Sequence, residues 1–388
     1  MFKLVNPIQN ALFFLGISLF LPIFFFFDAG CAKNGSKSPN GQPSLSGQAS
    51  SSVQPSAVKS PFHPVWTNYQ INAGVHAIAF EENYIWVGTD EGLIVYDKRE
   101  EKIVKKIDNK TGLISNDVTS IDVDAKGNKW IGTHGGGLVV IGRGITSGIK
   151  KVYNRPQLAD PFVYKTLFDS KGRLWVATWK GANLYDGVKW RKFTKEDGLV
   201  DNWVYSLGLD PEGTVWFGTE GGANSFDGVN WKTYTHKDGL GAELKDIPDY
   251  EIIVNKGKHH ASSPGKEAEG YNPNYILSLA IDRSGVKWFG TWGAGLSRFD
   301  GKSWKTFTTG SGLPGNFIAD IFIDSDNGVW IGTEGGIGFY NGKEWKKYTR
   351  NEGVIDDSVF TISHDSYGSK WFGTMEGISK LEGFAPGL

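Results

Sequence analysis

The chain has 388 residues, a formal charge of −1 and a single cysteine. That near-neutral balance speaks against nucleic acid or an anionic lipid surface as partner, and one thiol cannot form an intramolecular disulfide.

In chain order, residues 1–30 come first, with Lys3 ahead of the apolar run "ALFFLGISLFLPIFFFF" at 11–27. This is the pattern of an export signal, short for a membrane span and interrupted by Pro22. Cys31 follows small Ala29 and Gly30, and the stretch resembles a bacterial lipoprotein signal, although Asp28 stands where an aliphatic residue is usual. The resemblance implies lipidation of Cys31 and a membrane-anchored, exported protein on the periplasmic face or the cell surface. Residues 31–61 are rich in Ser, Gly, Pro and Gln and read as a flexible tether.

From residue 62 to about 384 the chain repeats itself. Trp-x-Gly-Thr, or a near match, starts at Trp86, Trp130, Trp175, Trp216, Trp288, Trp330 and Trp371, in steps of 44, 45, 41, 72, 42 and 41 residues. Apart from the long step, this is the length of one four-stranded propeller blade. Six of the seven tryptophans have an aspartate six residues upstream (Asp124, Asp169, Asp210, Asp282, Asp324, Asp365). Three residues upstream stands Asn83, Gly127, Gly172, Gly213, Gly285, Asn327 or Gly368, read as the left-handed position of a tight turn. A second turn, "YDGVKW" or "FDGKSW", precedes another short strand. The glycines of "GNKWIGTHGGGLVV" (127–140) therefore serve turns and packing, since no Gly-Lys-Ser/Thr follows to make a phosphate loop. The last repeat lacks a fourth strand, and "VWTNYQ" at 65–70 echoes "KWRKFT" and "EWKKYT" elsewhere. The expected fold is all-β: a seven-bladed β-propeller of four-stranded antiparallel blades, closed by an N-terminal outer strand.

These motifs resemble the two-component regulator propeller repeats, most closely in "WFGTEGGANSFDGVNWKTYTHKDGL" and "KWRKFTKEDGLVDNWVYSLGLDPEG". The resemblance implies an extracytoplasmic recognition domain of the kind found in hybrid histidine kinases, many of which respond to oligosaccharides. Blade 2 matches less well, because "GRGITSGIKKVYN" has no tryptophan strand.

The residue after each Thr varies: Asp90, His134, Trp179, Glu220, Trp292, Glu334, Met375. A second variable row precedes the inner strands: Asp117, Phe162, Trp203, Tyr275, Phe317, Ser358. Both rows fall on one face of a propeller. Of fifteen tryptophans, only Trp179, Trp203 and Trp292 have no place in the repeat frame, and all three lie in these rows. The expected ligand-binding rim is thus Trp179, Trp203, Trp292, His134, Asp90, Glu220, Glu334, Phe317 and Tyr275, for an oligosaccharide or other small ligand. The competing reading packs these aromatics against the next blade. The insertion at 241–274 belongs to the same face and suits a lid or a docking arm for a membrane protein or kinase partner. His259 and His260 inside it lack a third group to make a metal site. No cofactor and no catalytic residue are expected, and the protein is read as a monomer. The enzymatic alternative, a lyase or hydrolase, would use His134 with Glu220 or Glu334 as acid and base.

Overall fold

The structure, a computed structural model, describes residues 64–248 and 271–383. The expected leader, Cys31, the tether and the 249–270 part of the insertion, with His259 and His260, lie outside the described residues. Seven four-stranded antiparallel sheets follow one another at 75–107, 118–153, 163–193, 204–234, 276–307, 318–348 and 359–382. We number them blades 1 to 7. Blade 7 takes its outer strand from Val65–Gln70, paired with Gly377–Glu382 in the register Val65↔Glu382 to Gln70↔Gly377. The ring is closed as the sequence predicts.

Each letter of the Trp-x-Gly-Thr frame has a separate physical task. All seven tryptophans are buried, the most exposed being Trp130 at 8%. They pack on the following blade, as Trp175 does on Phe217 at 5.6 Å and Trp330 on Phe372 at 5.7 Å. The upstream aspartate accepts the indole N–H: Asp324 from Trp330 at 3.0 Å, Asp365 from Trp371 at 2.9 Å, and likewise in blades 2, 3 and 4. Blade 5 departs, since the Trp288 indole N–H has no partner among the described residues. The motif glycine is a matter of space. A Cβ on Gly88 would lie 2.5 Å from Val118 of the next inner strand, and one on Gly373 would lie 2.6 Å from Val75 across the closure. The threonine hydroxyl donates to the glycine carbonyl that ends the following loop in every blade, from Thr89→Gly92 at 2.8 Å to Thr374→Gly377 at 2.9 Å. This clamp fixes the loop and leaves the residue after Thr free to vary.

The turn reading is corrected in blade 1. Gly127, Gly172, Gly213, Gly285, Asn327 and Gly368 have positive φ, but in the first blade Glu82 (φ 52°) does, and not Asn83. The reason is a shorter hairpin: Glu81 pairs directly with Tyr84, so only two residues turn the chain, whereas the other blades have room for an aspartate turn. Glu81 takes over the aspartate's task and accepts the Trp86 indole N–H at 3.1 Å.

A second device links neighbouring blades. In "EDGL", "KDGL", "SGL" and "NEGV" the glycine has positive φ and lies against the first ring of the next outer strand: Gly198 on Trp231, Gly239 on Trp304, Gly312 on Trp345 and Gly353 on Trp66. Trp66 therefore occupies the same seat as the outer-strand tryptophans of ordinary blades. No helix of the described residues is long and apolar enough to cross a membrane.

Candidate functional site

The two variable rows of the sequence meet in pairs. The backbone N–H of the residue after Thr donates to the carbonyl of the residue before the same blade's inner strand. This joins Asp90 to Gly74 (3.2 Å), His134 to Asp117 (2.9 Å), Trp179 to Phe162 (3.3 Å), Glu220 to Trp203 (3.3 Å), Trp292 to Tyr275 (2.9 Å) and Met375 to Ser358 (3.1 Å). Every inner strand also carries a bulge after its first residue, as at Val163/Lys165 and Val204/Ser206. A bulge re-aims one side chain, and here the displaced residues include His76, Tyr164, Tyr205 and Phe360.

Together these features build one aromatic arc over blades 2 to 6. Its first segment holds Phe162 stacked on Trp179 at 4.3 Å and 8°, and Trp203 stacked on Trp179 at 5.8 Å and 19°. The Trp179 indole N–H donates to the Tyr164 hydroxyl. His134 sits edge-on to Tyr164 at 4.7 Å. From Tyr164 the path continues to Tyr205 at 4.6 Å and to Tyr275 at 4.9 Å. The far segment stacks Trp292 on Tyr275 at 5.4 Å and sets it edge-on to Phe317 at 4.5 Å. Tyr205 and Tyr275 are buried, while Trp179, Trp203, Trp292 and Phe317 are partly exposed. Trp179 stacks with two rings and bonds to Tyr164, which stiffens the arc.

Six of the nine expected site residues, Trp179, Trp203, Trp292, His134, Phe317 and Tyr275, fall on this arc, and Glu220 lies beside it. Glu334 and Asp90 do other work. The Glu334 carboxylate accepts the backbone N–H of Asn316 and Phe317, both at 3.1 Å, and so holds the loop that carries Phe317. Asp90 lies in blade 1, past the His134 end of the arc, where it accepts the Gly74 N–H at 3.2 Å. Sequence reasoning missed Tyr164 and Tyr205, which complete the path.

His134 is held by Asp117, with Nδ1 to Oδ2 at 2.8 Å. Its Nε2 is buried and has no hydrogen-bond partner among the described residues. An acid or base must reach the proton it transfers, and the nitrogen left for that task is covered. The described residues contain no group of His, Cys, Asp and Glu placed to hold a metal ion.

Glu220 is the electrostatic exception of the rim. Burial, with a smaller contribution from Asp201, pushes its carboxyl up to about 7. The folded protein therefore binds this proton more tightly than the unfolded chain. Stability from the protonated form is present below the ordinary glutamate range and is lost as pH rises through about 7. Glu220→Gln should match the parent at pH 4 and exceed it at pH 8 by about 1–2 kcal/mol, a figure discounted because the group is half wet. Thermal melts at the two pH values check this, and equal melting at pH 8 would refute it.

The two component regulator propeller family matches the chain at residues 198–221 and 312–335, within the loop and strand units that carry Glu220 and Glu334. No curated protein matches it significantly. Among solved structures, the extracellular domain of a hybrid two component system from B. thetaiotaomicron aligns at a TM-score of 0.65 and 21% identity, over 82% of this chain and 41% of that one. The chain thus spans about two-fifths of that relative's length. Virginiamycin B lyase from Staphylococcus aureus, in an inactive form with quinupristin, aligns at 0.61 and 13% identity, over 82% of this chain and 99% of that one. A streptogramin B lyase gives 0.58 and 15%, over 82% and 97%. At these identities the likeness is one of fold.

Proposed function

We propose that this chain, which carries two-component regulator propeller repeats, is an extracytoplasmic recognition domain that binds an oligosaccharide-like ligand on its aromatic arc, as an accessory to sensing. One observation carries the reading: a run of rings from His134 to Phe317 gathered on one face. Sugars present flat apolar faces edged by hydroxyls, and rings beside a carboxyl suit both features. The competing packing reading accounts for the ring contacts, but Trp203, Trp292 and Phe317 stay partly exposed and keep surface for a ligand.

Trp203→Ala and Trp292→Ala together should abolish the melting-temperature rise that a panel of oligosaccharides gives the parent. Circular dichroism should stay unchanged, since neither ring belongs to the buried frame. A retained shift would move the site off the arc.

In this reading Cys31 is lipidated and holds the domain on a membrane, so Cys31→Ser should release the protein into the soluble envelope fraction. A second reading, a dock for a kinase or other envelope protein, draws on the insertion's anchored ends. Ala242 donates to the Ala294 carbonyl at 3.0 Å, and Asn272 Nδ2 donates to the Glu220 carbonyl at 2.9 Å. Both ends thus meet the arc. Under it, replacing 249–270 by a short linker should lose a co-purified partner while sugar binding persists.

A further inference from the structure

Glu220 lacks what a half-buried carboxyl ordinarily has. Among the described residues no lysine, arginine or histidine pairs with it, and the one charged group that acts on it is another acid, Asp201. Asp201 is itself engaged: its Oδ1 accepts the Trp203 N–H at 2.8 Å, and Lys195 lies 3.9 Å from its other oxygen. The Glu220 charge also reaches Tyr205 and Tyr275, whose rings lie 4.9 Å apart and whose acidities are weakened chiefly by burial. The Glu220 carbonyl is held by Asn272 and its N–H by Trp203, so the residue is fixed in place by its backbone while its side chain is unpartnered.

An acid kept partly out of water without a donor is costly to ionise. The arc, to which Glu220 is tied through its backbone bond to Trp203, carries ring faces whose negative quadrupole attracts a cation. A neutral sugar hydroxyl would satisfy the carboxyl only in part, and an acidic sugar would be repelled. We propose that the ligand of this rim presents a protonated amine to Glu220 while its pyranose faces lie on the neighbouring arc, which makes an oligomer of amino-sugar units the ligand class. The inference rests on the sugar-binding reading above and narrows it.

The test compares two probes with one skeleton: a glucosamine oligomer of four to six units and its fully N-acetylated counterpart, titrated calorimetrically into the full-length protein at pH about 6. The free-amine oligomer is expected to bind at least about tenfold more tightly. Glu220→Gln should erase that preference, bringing the affinities for the two oligomers within about twofold of each other. The free-amine affinity should also rise between pH 4.5 and 5.5, where the amino-sugar ammonium stays charged and Glu220 must give up its proton to meet it. Burial keeps the Tyr205 and Tyr275 hydroxyls protonated throughout this window.

Equal binding of the two oligomers, or a preference that survives Glu220→Gln, overturns the amine assignment and leaves the sugar-binding reading standing. Tighter binding of the acetylated oligomer does the same. Binding of neither oligomer overturns the amine assignment, and silence across the whole oligosaccharide panel overturns the sugar-binding reading as well.

Discussion

A chain beginning at Ile71 is expected to lose the native ring. Removing Val65–Gln70 strips six register pairs from Gly377–Glu382 and uncovers an edge in the middle of blade 7. It also takes Trp66 from its seat on Gly353 and from its ring contacts with Tyr348 at 5.8 Å and Phe372 at 5.7 Å. Tyr69 leaves its stack on Trp371 as well. An open edge flanked by uncovered aromatics invites pairing with other chains. The expected product is aggregated or loosely packed, without the near-ultraviolet dichroism of the full protein. A peptide spanning 64–74, supplied in excess, should restore part of that signal. If the shortened chain instead melts within a few degrees of the parent, closure is not what holds the ring.

The second large effect concerns Lys129. It is fully buried between blades 1 and 2, with Nζ 2.6 Å from Glu81 Oε2 and 4.4 Å from the centre of the Trp86 ring. Burial pushes the Glu81 carboxyl upward, but Lys129, the Gly144 N–H and the Trp86 indole together draw it below the ordinary glutamate range. Lys129→Ala removes the cation and leaves the carboxylate charged in a dry site. Losing one partner of such a pair costs about 3–5 kcal/mol. Lys129→Met with Glu81→Gln keeps the volume and removes both charges, and it should recover most of that loss. Denaturant unfolding of the single and double variants measures the difference, and additive losses would refute the coupling.

Much of this architecture is legible in the sequence because each repeated letter answers to a local constraint. Gly88 and Gly373 read as turn or packing residues, and the approach of Val118 and Val75 confirms the second role. Trp66 could be matched to blade 7 because the same residue opens other outer strands. The variable rows were legible for the complementary reason: the threonine clamp and the latch between the rows use the backbone and the Thr hydroxyl, so the repeat frame sets no side chain there, although Asp90 and Glu334 each hold a neighbouring loop.

The misreadings have a shared cause. The inner-strand bulges shift one residue out of the alternation on which strand reading rests, which hid Tyr164 and Tyr205. Glu334 looked like a free rim carboxylate, but its use depends on how the Gly315–Phe317 backbone bends toward it. Asn83 was chosen by residue type, whereas the two-residue hairpin places the left-handed turn on Glu82. Three-dimensional proximity also decides that Trp179 stacks with two rings while the Glu220 side chain stands without an ion pair among the described residues.

The direction of the closing strand has a mechanical consequence. Val65 lies at the turn end of blade 7 and Gln70 at the rim end, so the chain joins the ring on the face away from the aromatic arc. A pull between a tether upstream of Val65 and a ligand gripped at the rim would run along the length of that strand. Its six pairs with Gly377–Glu382 would then bear the load side by side. They would have to slide together to fail, and could not be peeled one after another. Under the proposed reading, with Cys31 anchored and a ligand on the arc, the seam that closes the ring lies in the orientation that resists tension between the two.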